Sequence, residues 1–261
     1  MSGLVILCQF LFRLSFGMAA GMAVTSPRQV TSGYFRNHLY VLLGLNVLAT
    51  LVAVTNPTHF ALWPPLAAAV VSYIGAICWL YEWRIGGIAS LWIVAGTTLW
   101  GTLALAPSEL TTSDSAVSHP SAEVALRYLD PTTSGLVLGI TIAAMFLGHW
   151  YLNTPTMRIV PLQRLVILMA VAVVLRAAVS GTGLGLTIAH VGMPDFAQWA
   201  FIALRWLSGI FGLMGIIWMT WDTLKIPNTQ AATGMLYVGV IAVFLGELTS
   251  LLLSHGKPLP L

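Results

Sequence analysis

The sequence predicts an all-α integral membrane protein of eight transmembrane helices with both termini outside. Three observations lead to that fold class. The chain is 58% hydrophobic and only 7% charged, where soluble domains carry about 25% charge. Apolar stretches of about 20 residues recur along it, the length that crosses roughly 30 Å of hydrocarbon as helix. No segment between them is long enough to build a core of its own.

The elements follow in order. The stretch 3–24 has the hydropathy of a signal peptide, but it lacks a basic n-region and Arg13 interrupts it. It therefore reads as a retained first helix. The second and third helices, 38–55 and 65–81, are short and expected to fray or tilt. A fourth occupies 87–106. The long connection 107–133 is weakly helical at 121–128 and divides the chain into two four-helix halves, 1–106 and 134–261. As a solvated loop or as a docking surface or lid, it has two open readings. The fifth helix is set at 134–152 and the sixth at 165–188, where Gly181, Gly183 and Gly185 allow close packing or a break. The seventh, 196–218, carries Arg205. The eighth, 233–254, carries Glu247 and follows Pro227, Asn228, Thr229 and Gln230, which turn and cap chemistry explains.

Loop charge sets the orientation. Connections after helices one, three, five and seven hold Arg28, Arg36, Arg84, Arg158, Arg164 and Lys225. The other side holds Arg127 and Lys257, together with Glu109, Asp114, Glu123, Asp130 and Asp195. Cationic loops stay cytoplasmic, so both termini fall outside. For a bacterial source that means the periplasm, with the protein multi-pass in the inner (plasma) membrane. Trp63, Trp79, Trp83, Trp150, Tyr151 and Trp221 lie near helix ends as an interfacial aromatic belt. The net charge of +3 is spread over loops, and no nucleic-acid partner is expected. Cys8 and Cys78 sit in apolar runs with no haem-attachment or zinc-type spacing and read as packing residues.

Arg13, Arg176, Arg205 and Glu247 lie inside apolar stretches. A charge at the bilayer centre costs roughly 2.5–3.5 kcal/mol on insertion scales, so each should face the bundle interior, a wet cavity or a partner. Helices seven and eight are consecutive and antiparallel, so Arg205 and Glu247 are expected to meet in the outer leaflet. They form either a self-compensating ion pair or a polar site, where Glu247 exchanges a proton and Arg205 orients an oxygen-rich ligand. Arg13 and Arg176 have no acidic partner in this reading. Such an excess of buried cation calls for backbone carbonyls, water, an anionic ligand, lipid or another subunit.

His38, opening helix two, and His149, near the end of helix five, share a depth near the inner surface. That satisfies the minimum condition for axial ligation of a b-type haem, and interfacial hydrogen bonding explains it as well. His59 follows helix two, where it suits either proton acceptance from a quinol or a solvated loop. The chain has no Walker loop, G-x-S-x-G, H-E-x-x-H or dinucleotide fingerprint. No metal site is expected, nor an enzyme acting alone.

Eight helices with both termini outside, Arg205 in helix seven and Gly246-Glu247-Leu248 in helix eight resemble a known group. So does segment 128–153, an aromatic and a proline leading into a Gly- and Leu-rich helix. The group is the membrane-anchor subunits of dimethyl-sulfoxide-reductase-type and polysulfide-reductase-type complexes, and the resemblance covers mainly the second half of the chain. It implies a quinone near the outer face, an iron–sulfur partner, and Arg205 and Glu247 in the quinone-side polar network. In that family the quinone-site histidine sits in a histidine–leucine–glycine stretch after helix two. This chain has Thr58-His59-Phe60-Ala61 there.

Three functions are consistent with these features. The first is a non-catalytic membrane subunit of a respiratory-type electron-transfer complex, with His59, Arg205 and Glu247 handling quinol. The second is a transporter or permease for a small anionic solute, bound by Arg13, Arg176 and Arg205. The third is a structural or assembly subunit whose buried charges contact lipid or other subunits.

Overall fold

A computed structural model describes residues 3–55, 61–105, 120–154, 156–190, 192–226 and 228–254. Among them are α1 (Gly3–Ala23), α2 (Ser32–Thr55), α3 (Trp63–Leu80), α4 (Arg84–Ala104), α5 (Pro120–Asn153), α6 (Val160–His190), α7 (Phe196–Lys225) and α8 (Thr229–Ser254). All eight are long and apolar enough to cross a membrane. Most connections are shorter than expected, because polar and small residues at the helix ends continue the helix.

Local chemistry explains several ends. α3 opens with Pro64 and Pro65 in its first turn, where their missing amides would have no intrahelical partner. It closes in a Schellman motif: Trp83 N–H donates to Cys78 O at 2.8 Å and Glu82 N–H to Trp79 O at 3.3 Å. Glu82 takes the left-handed conformation there (φ 57°), a position usually given to glycine. α7 runs on through a π-helical segment, Trp206–Gly212. Asp195 caps its start by accepting from Gln198 N–H at 2.7 Å.

Two expectations need correction, and one open choice is decided. α5 begins at Pro120 and carries Pro131 in its interior, so 120–133 is not a loop. Pro131 lacks an N–H, yet neighbouring helices hold the chain helical, and hydroxyls occupy nearby carbonyls. Thr132 and Thr133 Oγ1 donate to Tyr128 O and Leu129 O at 2.7 and 2.8 Å. α2 begins at Ser32, so His38 lies inside the helix and does not open it. α6 is unbroken through Gly181–Gly185. Residues 106–119 of the long connection lie outside the described residues.

The centre of the bundle is α1 against α5. α5 has 72% of its most apolar window buried, against 33% for α7. Gly17 of α1 meets Gly135 and Gly139 of α5, and Gly21 one turn on meets Ile140 and Ala143, a close approach of small residues on both helices. A Cβ on Gly139 would collide with the backbone of Gly17 and Met18, and one on Gly135 would sit 2.9 Å from Arg13 O. α2, α3 and α4 pack on one flank of this pair and α6, α7 and α8 on the other. Outward side chains are apolar, among them Leu51, Val70, Trp92, Val174, Phe201, Leu207 and Ile241. Buried polar side chains bond back along their own helices: Asn46 to Leu42 O (2.8 Å), Ser72 to Ala68 O (2.7 Å), Thr98 to Val94 O (2.6 Å). An apolar exterior over an interior whose hydroxyl and amide donors bond back to their own helices is the arrangement hydrocarbon favours. Cys8 and Cys78 are buried free thiols on α1 and α3.

Candidate functional site

The polar interior culminates in a charge cluster fed by α1, α5, α6, α7 and α8. Its hub is Arg176, fully buried on α6. Nε and Nη2 grip Glu247 of α8 as a fork, to Oε1 and Oε2, both at 2.8 Å. Nη2 also donates to Ser250 Oγ at 2.9 Å. Nη1 donates to Asp130 Oδ1 of α5 at 2.5 Å and to Asp130 O at 3.2 Å. A guanidinium has five N–H groups in a fixed fork, and these five acceptors take all of them. Arg13 of α1 reaches the other carboxylate oxygen, Asp130 Oδ2, at 3.4 Å.

Arg205 of α7 stands apart. It is 1% exposed, and Nη2 donates to Ser180 Oγ of α6. Its Nε and Nη1 are buried without a hydrogen-bond partner. No carboxylate among the described residues lies within ion-pair distance of it. The next residue, Trp206, likewise has a buried Nε1–H without a partner. Arg205 is close enough to Arg176, Glu247, Asp130 and Arg13 to feel their charges. The cluster therefore holds three guanidinium groups and two carboxylates, a surplus of positive charge with unpartnered donors on Arg13, Arg205 and Trp206.

The structure redraws the expected pairing. Glu247 meets Arg176, not Arg205, because the helices it packs against bring α6 to its carboxylate. Arg13 and Arg176 do have an acidic partner in the membrane-length core. That partner is Asp130, only 6% exposed, which the sequence places on an outside loop. Beside Pro131 and close to Arg127 it has the look of a turn. The signals that betray it are the Thr132–Thr133 pair after the proline and the unpaired arginines themselves, which demand a buried acid.

The candidate haem ligands sit in different surroundings. His38 is buried, stacked on Phe146 with centroids 4.4 Å apart, and its Nδ1–H donates to Tyr34 O at 2.6 Å. A carbonyl can only accept, so Nε2 is the nitrogen left for another role. His149 is exposed and lies 3.2 Å from Tyr237 Oη through Nδ1. His59 lies outside the described residues. Comparison with protein-family models, curated proteins and solved structures finds no match for this chain.

Proposed function

We propose that this chain is a multi-pass membrane protein that holds a small anionic ligand inside its helix bundle, on the Arg205 side of the charge cluster. One observation carries the reading: Arg205 is a buried guanidinium with two unpartnered N–H donors and, unlike Arg13, no carboxylate among the described residues within ion-pair distance, inside a cluster with one cation in excess. A buried charge is retained only with compensation, and an anion supplies both the charge and the acceptors. This is the solute-binding reading, with Arg205 as the contact. Arg176 is the frame, since its donors are consumed within the chain. Six cations in and around the connections at the opposite end favour a site in the outer half of the membrane.

The test is thermal stability of the purified protein against acetate and inorganic phosphate. Wild type should gain stability with anion concentration. Arg205→Gln should remain folded and lose at least about tenfold in apparent affinity. A wild-type protein indifferent to both anions rejects the proposal.

The quinone-linked reading draws on the same donors, because a quinone carbonyl is also an acceptor. The observation favouring it is the position of Arg205 on α7, the helix most open to lipid. Both oxygens of Glu247 are held by Arg176, so Arg205 would contact the quinone and Glu247 would position it indirectly. Co-purification with an iron–sulfur subunit supports this reading. A reduced-minus-oxidised spectrum without a Soret shift removes haem at His38 and His149.

A further inference from the structure

We infer that the anion is the headgroup of an acyl-chain amphiphile, which reaches Arg205 sideways from the lipid between α6 and α7. The inference rests on the anion reading above and adds the class of ligand and its route.

Ser134 Oγ and two nitrogens of Arg13 are also buried without a hydrogen-bond partner, but the unpartnered groups on α7 are of one kind. Arg205 Nε, Arg205 Nη1 and Trp206 Nε1 are all buried N–H donors, adjacent in sequence at the start of the π-helical segment Trp206–Gly212. π-Helical turns inside α-helices frequently occur at functional sites. A site built only of donors selects a head that only accepts, an ionised carboxylate or phosphate.

Apolar side chains also pack beside these donors. Ile202 and Leu253 form a small cluster apart from the main core, with Leu184 and Trp206 packed on it. Between α6 and the Trp206 ring stands Gly181, where an added Cβ would come only to ordinary contact at 3.5 Å. A bare solute anion gains nothing from such walls, whereas the first carbons of an acyl chain do.

Among the described residues, buried apolar side chains flank the cluster along the bundle axis. Leu126 and Val179 are buried toward one end of the cluster, and Leu138, Met169 and Val173 toward the other. The side of the bundle is looser. α6 packs on the Leu213–Lys225 part of α7 and only sparsely on Phe196–Arg205, so the two helices diverge at the depth where Arg205 bridges them to Ser180. Next to this divergence α7 exposes Phe201, Leu204 and Leu207, apolar side chains that suit a tail lying in the membrane.

The experiment compares four probes on purified protein: acetate, inorganic phosphate, palmitate and lysophosphatidate. Palmitate or lysophosphatidate should bind at least about tenfold tighter than the head alone, and Arg205→Gln should remove that binding. Gly181→Leu should weaken the chain-bearing probes while leaving acetate and phosphate unchanged. Should Gly181→Leu not fold, quenching of Trp206 by a bromine-labelled fatty acid replaces it, read as the difference between wild type and Trp206→Phe. Equal affinity for head and amphiphile, or no Trp206 quenching, overturns the amphiphile and leaves the anion site standing. No response to any probe overturns both.

Discussion

Each N–H group of Arg176 ends on an acceptor, and that completeness governs how a substitution there behaves. Arg176→Met strands Glu247 as a buried carboxylate with its cation gone and leaves Asp130 only the longer Arg13 contact, and breaking a buried pair in this way costs about 3–5 kcal/mol. Arg13→Leu removes only one ion pair, at 3.4 Å, and leaves Asp130 still bonded to Arg176. Thermal melts in one detergent should rank Arg176→Met far below Arg13→Leu; equal losses would contradict the hub. Arg13, Arg176, Arg205 and Glu247 are legible in the sequence because a charge amid apolar residues declares itself. Who pairs with whom is not. Adjacency along the chain favours α7 against α8, while the fork geometry is settled by which face of α8 turns to α6, and that depends on packing several helices at once.

At the scale of elements, the α1–α5 contact rests on glycines that no larger residue can replace. Gly139→Leu would drive a branched side chain into the backbone of Gly17 and Met18 and force the helices apart. The expected result is loss of folded, monodisperse protein, whereas Gly96→Leu, at a glycine with open space around it, should be tolerated. Similar behaviour of the two variants would rule out the close approach. Helix number and helix centres can be read from hydropathy alone, since lipid leaves so few alternatives. The ends cannot. Ser32, Arg84 and Thr229 look like loop residues but sit in helical turns, and Pro131 looks like a helix stop but is not one. In each case tertiary packing overrides the local preference.

For the whole molecule, the loop cations predict which end faces the cytoplasm. A membrane-impermeant maleimide should label Met193→Cys, in the α6–α7 connection, from outside intact cells. Ile226→Cys, in the α7–α8 connection, should be labelled only after permeabilisation. Both positions are highly exposed, and the native thiols Cys8 and Cys78 are buried. Labelling in the reverse pattern would invert the topology and move the Arg205 site to the cytoplasmic half. The two-half division read from the sequence follows the one long connection. Packing does not follow it in the same way, because the tightest helix pair joins the first helix of one half to the first helix of the other.

That pair also sets a schedule. In order of synthesis, Arg13 leaves the ribosome long before Asp130, with α2, α3 and α4 in between. Until α5 arrives, the first helix carries a cation whose counter-charge has not yet been translated, and its glycine face has nothing to close upon. Arg13 and the glycine face of α1 therefore reach their final contacts only once α5 has been made, so the seating of the first helix against its partner is expected among the later events in making the protein.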